Sequence, residues 1–559
     1  MKVCLLYADR ERANTETYYD TKSIIADLGL DALFSAAAKE IVYENGEVKK
    51  LEAEDEFLAW TLKNIMMIPL ASAEEIAFRQ EIVADATNHP EPVRGLYRIS
   101  TKMLAKWNEL GRNIRERIRQ GSPTMRLLTE IRVLTLFCDS LSAVRKLLEA
   151  SDGFTSRGLR AFREEFCEAF SEEREATIRK VLRDVSFYTD GLEQKEEQLT
   201  VVKPRIVLEC GLEDGLRLSS MKLEEVSSVS SRYVRKGSTR DKLQKFINAR
   251  IPDSFPTAEE GRVKEQTQAL EAAVVSYLVR KLRGLTDEFN TFFDQLRIQA
   301  GFYLAAVQLT EHMRRLSTEW CFPTVCDRKD LAFTDLREFV MSITQRIRVT
   351  GNTCSLQGKN LLIVTGANQG GKSTFLRSIA IAQVMMQCGL PVTAREFRSG
   401  IFPRIFVHFT RREDSAMNSG RLDEELKRMN GIVEHLGDGS LVFLNESFAT
   451  TTEKEGAVIA YDIIRALTEA GVKVLTVTHL LSFAKRVYGE TKDRPESGAA
   501  FLSAERKPDG TRTYHMIEGE PELTSFGLDL FDRIVGKPAG SERLSDFTGN
   551  LLGMKGRQL

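Results

Sequence analysis

Residues 365–374, "TGANQGGKST", follow directly on the apolar run "LLIV" at 361–364, and the reading of this passage decides how the second half of the chain folds. A short apolar run reads as a buried strand, and the apolar spacing after Lys372 reads as a helix. Between them, Gly366, Gly371, Lys372 and Ser373 satisfy the spacing G-x-x-x-x-G-K-[ST]. Glycines let the backbone curl so that its N–H groups converge on phosphate oxygens, and the start of the following helix adds the positive end of its dipole. Lys372 is then placed to reach the outer phosphates of ATP, and the Ser373 hydroxyl to ligate Mg2+. An ordinary glycine turn is the competing reading, and the strand before and helix after argue against it.

Working outward, "RIFVHF" (404–409), "SLVFLNE" (440–446) and "KVLTVTH" (473–479) are further short apolar runs separated by helical stretches, the texture of a helix-covered sheet. Near the end, Pro508, Asp509 and Gly510 separate two candidate strands and predict a hairpin. Nucleotide hydrolysis needs a second group at the end of a neighbouring strand, and "SLVFLNES" supplies Glu446, which can polarise an attacking water. The position before it, where an aspartate usually helps hold the magnesium shell, is Asn445. Its amide oxygen can accept a hydrogen bond from a metal-bound water but brings no charge, so reduced metal affinity or slow turnover is expected. Asn445 or Glu446 would act on the metal through water. His479 ends another strand, where it can sense the terminal phosphate. A strand cap for the pair and a bland polar role for the histidine are the alternatives. His89, His312, His408, His435 and His515 stand in no such setting and receive no role.

The 559 residues exceed what one hydrophobic core supports, and 42% apolar content suffices for two to four domains. The 79 basic and 80 acidic side chains nearly cancel, so any nucleic-acid contact must come from local patches. Eight scattered cysteines, without the spacing of a zinc site, read as reduced thiols. The N-terminus is charged too early for a signal peptide and no apolar run reaches about 20 residues, so a cytoplasmic protein without membrane segments is expected. Residues 1 to about 320 show apolar spacings of three and four, as in "AEEIAFRQEIVADAT" (73–87), and read as amphipathic helices. From Glu259 to Leu316 one or two long helices are expected, with Gly284 and Gly301 as candidate breaks. The alternation in "VVKPRIVLECGLEDGLRLSSMKLEEVSS" (201–228) predicts a small strand-containing insertion.

The ordered set "TGANQGGKSTFLRSIAIAQVMMQCGLPVTA", "SGRLDEELKRMNGIV", "SLVFLNESFATTTEKEGAVIAYDII" and "VLTVTHLLSF" resembles the ATPase domain of the MutS family, with Asn368 and the glycine pair Gly370 and Gly371 its most specific piece. "GEPELTSFGLDLFDRIVG" (519–536) looks like the family's closing segment, and "DLGLDALF" (27–34) like the start of its core, or lever, domain. The resemblance implies a multidomain chain: a mainly α-helical core and lever at 1–320 with a possible clamp insertion at about 190–250, an α/β ABC-class P-loop ATPase domain at 321–545, and a tail at 546–559. It implies a homodimer through the ATPase domains, each nucleotide lying between the loop of one copy, including Thr374, and the signature loop of the other. "NSGRLDEE" (418–425) is the matching stretch, with Asn418, Ser419 and Gly420 as candidates, although the family's serine- and threonine-rich run is missing after Arg421. "SFATTT" (447–452) replaces the family's Gly-Arg-Gly-Thr pattern. The early start of the lever leaves no room for the mismatch-reading and connector domains, and no small nuclease-like domain follows the final helix, which argues against the branch carrying such a tail.

DNA contact is the role the resemblance assigns to the remainder. Arg232, Arg235, Lys236, Arg240 and Lys242, with Lys245 and Tyr233, lie beside the insertion, and Arg112, Arg115, Arg117 and Arg119 form a second basic run. Such groups can hold phosphates without reading bases. Charge runs on helices are equally often solvated faces. The expected function is an ATP-driven dimeric clamp on DNA, in repair or recombination control, that is not a direct mismatch reader. A nucleotide-gated protein scaffold with little hydrolysis is the alternative, favoured by Asn445. A transporter-type or chromosome-organising ATPase fits less well, for want of an LSGGQ-type signature and of sustained heptads.

Overall fold

The apolar runs of the second half are strands of one six-stranded sheet: β1 (Leu361–Gly366), β2 (Arg404–Phe409), β3 (Ser440–Asn445), β4 (Lys473–Val477), β5 (Ala499–Arg506) and β6 (Arg512–Glu518). The computed structural model describes residues 2–9, 16–39, 41–44, 47–51, 55–118, 123–151, 153–193, 202–213, 217–230, 257–328, 330–410, 420–494, 498–507 and 511–521. The strand order is β2-β3-β4-β1-β5-β6. The first five strands are mutually parallel and β6 returns antiparallel to β5, so the predicted hairpin forms, with its turn outside the described residues. Every residue of β1 and of β4 is buried, which is why these strands read as unbroken apolar runs rather than as an alternation.

Helices join the parallel strands: α1 (Lys372–Gln387), α2 (Arg421–Glu434), α3 (Glu453–Glu469) and α4 (Leu481–Thr491). The start of α3 is written in the sequence, since the Thr452 side chain accepts from the N–H of Glu455, three residues on, in the capping-box spacing. Ala460, Tyr461 and Ile464 of α3 and Phe483 of α4 are buried in one cluster with Ile363, Val442, Leu444 and Val474 of the sheet. A smaller sheet takes the order Thr324–Val325, Glu396–Ser399, Leu331–Leu336, Asn352–Ser355.

Contacts divide the chain into two units, Met1–Leu5 with Asn88–Leu304, and Leu6–Thr87 with Ala305–Leu559. This differs from the division near residue 320 expected from sequence texture, because residues 6–87 pack with the sheet unit. Helices Thr21–Leu28 and Leu30–Ala37 bury Ile24, Leu28, Leu30 and Leu33, at about 1.5–3 kcal/mol for each such side chain. Gln387 of α1 donates to the Tyr18 hydroxyl at 3.3 Å, and the Leu70 N–H donates to the Gln387 carbonyl at 2.8 Å. The buried Arg79 guanidinium donates to the Cys388 and Leu6 carbonyls, both within this unit.

The other unit contains helices Pro90–Ile118, Pro123–Glu149, Arg157–Ala169 and Glu172–Glu193. Phe137 is fully buried, with the rings of Trp107, Phe289 and Phe293 each 5.8 Å away. The insertion is an antiparallel pair, Val202–Glu213 with Arg217–Ser230. A single 59-residue helix, Thr257–Arg315, then runs through both expected break points. Gly284 and Gly301 do not interrupt it, since an isolated glycine costs a helix interior only about 1 kcal/mol. Among the described residues, no helix is long and apolar enough to cross a membrane.

Candidate nucleotide site

The carboxyl ends of β1, β3 and β4 lie side by side, with Leu444 opposite Thr476, Asn445 opposite Val477, and Val477 opposite Val364. In open sheets with parallel strands, ligands bind at this edge, where the strand order reverses direction from a central strand. From β1 the chain passes to the far edge at β2 and later returns to β5 on the other side. The loop 366–371 emerges at that point.

The loop is tight. Gly366 adopts φ +108°, and a Cβ there would lie 2.8 Å from the backbone nitrogen of Ala504 on β5. A Cβ on Gly370 would lie 2.8 Å from the Ala367 carbonyl oxygen and 2.8 Å from the Ala504 Cβ. Gly371 is the N-cap of α1, whose first residue is Lys372. The Lys372 ammonium is buried and donates to the carbonyls of Gly366 at 2.8 Å and Ala367 at 3.1 Å, so it sits inside the curl of the loop. Asn368 and Gln369 are exposed, and Gln369 accepts from Arg512 of β6 at 2.8 Å. Ser373 and Thr374 are half-buried in the first turn of α1.

Glu446 follows β3 with φ +55°, a left-handed backbone that a non-glycine residue holds at a cost on the order of 1–3 kcal/mol. Its N–H donates to the Val477 carbonyl at 2.9 Å. Its Oε2 accepts from the His479 N–H at 3.0 Å and lies 2.5 Å from His479 Nδ1. That hydrogen bond raises the His479 pKa above the ordinary imidazole value, against the lowering effect of partial burial and of the nearby Lys372 charge. Glu446 and His479, 33 residues apart, are thus brought together at the strand ends. Asn445 Oδ1 is buried and has no hydrogen-bond partner among the described residues. A buried acceptor left in this state is costly unless something donates to it, and a metal-bound water is such a donor. The donor set therefore fits a hydrated magnesium ion.

Gly420 is exposed and is the N-cap of α2. Ser419 and Asn418 lie outside the described residues, as do Arg119, Arg232, Arg235, Lys236, Arg240, Lys242 and the tail 546–559. Sequence reading passed over a polar cluster beneath Glu446: Thr410, Glu425, Ser447 and Thr450, with the fully buried His408. Glu425 is one of three consecutive acidic residues, and nothing in the string marks it as the one facing inward.

A glycine-rich loop opening a helix at the carboxyl edge of a mainly parallel sheet is an arrangement in which phosphate groups are commonly held. Sequence comparison narrows it. The profile of MutS domain V matches residues 362–539, and that of the MutS2 N-terminal domain matches residues 71–316. The chain belongs to the MutS family. MutS protein homolog 4 of Mus musculus is 35% identical over 183 residues, 32% of this chain and 19% of that protein. Endonuclease MutS2 of Streptococcus sanguinis (strain SK36) is 32% identical over 162 residues, 29% of this chain and 20% of that protein. Endonuclease MutS2 of Lacticaseibacillus casei (strain BL23) is 28% identical over 260 residues, 45% of this chain and 31% of that protein. The matches thus span between about a fifth and a third of the relatives' length. The helical half matches the profile named for MutS2, the branch that the reading of the final segment argues against.

Proposed function

We propose that the chain is a MutS-type DNA-binding ATPase of the ABC class, acting as a homodimeric clamp in DNA repair or recombination control. Members of the family are ATPases that bind DNA and work as dimers. The observation that carries the reading is the meeting of Lys372, Asn445, Glu446 and His479 at one sheet edge. Lys372 and the loop amides from Gly366 to Thr374, with Asn368, bind the triphosphate. Ser373, with Asn445 or Glu446 acting through water, would hold magnesium, which when bound neutralises charge on the phosphates. Glu446 orients the attacking water and accepts its proton. His479 holds the Glu446 carboxylate through Oε2 and faces the terminal phosphate. Ser419 and Gly420 of a second copy complete the site, so nucleotide bridges the subunits and its hydrolysis releases them. Arg232, Arg235, Lys236, Arg240 and Lys242 hold DNA phosphates.

The test is magnesium-dependent phosphate release, dimerisation and salt-titrated DNA binding measured together. Lys372→Ala is expected to abolish nucleotide binding. Glu446→Gln is expected to lower turnover about 10²–10⁴-fold while accumulating an ATP-loaded dimer. Turnover equal to wild type in Glu446→Gln rejects the catalytic assignment. Asn445, uncharged and with a side-chain oxygen that has no partner among the described residues, supports a second reading, a nucleotide-gated protein scaffold with little hydrolysis. ATP-dependent dimerisation with no phosphate release and no response to DNA would favour it.

A further inference from the structure

The left-handed turn at Glu446 does not hold itself. Phe448, two residues on, is also left-handed, at φ +65°. The side chain of Glu425, on α2, is buried beside this turn. The Phe448 N–H donates to Glu425 Oε2 at 2.9 Å, and the Thr450 hydroxyl lies 3.3 Å from the same oxygen. On the other side, Thr410 Oγ1 lies 3.3 Å from Glu425 Oε1 and 2.7 Å from the Glu446 carbonyl. His408 adds a parallel link: Nε2 lies 3.2 Å from the Glu425 carbonyl and Nδ1 2.8 Å from Ser447 Oγ.

A carbonyl can only accept, so His408 Nε2 carries hydrogen, and the Ser447 hydroxyl lies 2.8 Å from His408 Nδ1 and 3.0 Å from the His408 carbonyl. The single Thr410 proton goes to the Glu446 carbonyl, the nearest acceptor. Thr410 Oγ1 also lies 3.3 Å from Glu425 Oε1, the longer branch of the same hydroxyl's contacts. Burial raises the Glu425 pKa, against the lowering effect of its hydrogen bonds to Phe448, Thr450 and Thr410.

We propose that Glu425 is a positioning residue for Glu446: through Thr410 and Phe448 it fixes the backbone that aims the Glu446 carboxylate at His479, and so ties that carboxylate to the helix beginning at Gly420. The proposal rests on the ATPase reading above. It places a set of hydrogen bonds between the fifth residue of α2 and the backbone of the water-activating group.

The experiment compares Glu425→Ala, Glu425→Gln and Thr410→Val in the full chain, each checked for folding by circular dichroism. Two readouts are used: kcat against KM for ATP, and the pH titration of the His479 ring signal by nuclear magnetic resonance, assigned from a His479→Gln spectrum. Glu425→Ala and Thr410→Val are expected to lower kcat by on the order of 10²-fold, the effect of a misplacement of about 1 Å, with KM changed less than about 3-fold. The His479 midpoint should fall toward the ordinary imidazole value as the carboxylate moves away. Glu425→Gln presents one oxygen to Phe448 and one N–H to Thr410, and should restore most of both. The proposal is overturned if a folded Glu425→Ala keeps wild-type kcat and His479 midpoint, or if Glu425→Gln is as impaired as Glu425→Ala. Absence of Lys372-dependent turnover in the wild-type chain would defeat the ATPase reading instead, and the His479 titration would still decide whether Glu425 positions Glu446.

Discussion

Replacing Gly366 by alanine tests whether the loop is shaped by its neighbour strand or by its own sequence. Two penalties add in the structure. The φ of +108° lies in a region that residues with a Cβ rarely adopt, at a cost on the order of 1–3 kcal/mol. The new methyl would also lie 2.8 Å from the Ala504 backbone nitrogen, 3.1 Å from its Cβ and 3.4 Å from its Cα. Ala504 stands opposite Gly366 in the parallel ladder of β5 and β1, so it cannot rotate aside without opening the sheet. Overpacking of this kind costs about 1–3 kcal/mol. The sum, about 2–6 kcal/mol, is a large share of the 5–15 kcal/mol that typically holds a domain folded. Gly358 serves as the control, because its φ is +66° but nothing lies within 4 Å of an added Cβ. Gly358→Ala should cost only the left-handed preference, about 1–2 kcal/mol. Urea midpoints at unchanged slope, with nucleotide affinity measured in parallel, give both numbers. A Gly366→Ala chain no less stable than Gly358→Ala would refute the argument that Ala504 confines the loop.

Two further outcomes are expected. His479 has a folded-state pKa raised by the Glu446 carboxylate, so the stabilising effect of the pair is fully present below the unfolded imidazole value near about 6.5 and is lost as pH rises through the folded-state value. Glu446→Gln should lower the His479 midpoint and flatten that part of the pH–stability profile, and an unchanged midpoint would show that the pair does not form. Asn445→Asp places a charge at a buried acceptor with no partner among the described residues. The variant should bind nucleotide with a lower magnesium requirement and lose stability when magnesium is withheld. Equal magnesium dependence in both proteins would argue against the ion lying beside this side chain.

Much of the site was legible in the string because its causes are local. The run 361–366, the glycines after it and the apolar spacing of α1 each depend on residues a few positions apart, and so do the Thr452 cap and the hairpin of β5 and β6. The strand ends at Glu446 and His479 could be marked for the same reason. Their meeting could not, since it follows from β4 being inserted between β3 and β1, a pairing chosen by burial of surfaces distant in the chain. The same holds for Tyr18, Leu70 and Arg79, which join the sheet unit through Gln387, Cys388 and Leu6 rather than through any sequence signal. Asp423, Glu424 and Glu425 are chemically near-identical as letters. Which one turns inward to hold Thr410 and Phe448 depends on the rotation of α2 against β2, set by packing Met429 and Ile432 into the core. Periodicity and capping thus determined the pieces and their chemistry, whereas the side-by-side order of the strands determined which of those chemistries can act on one another.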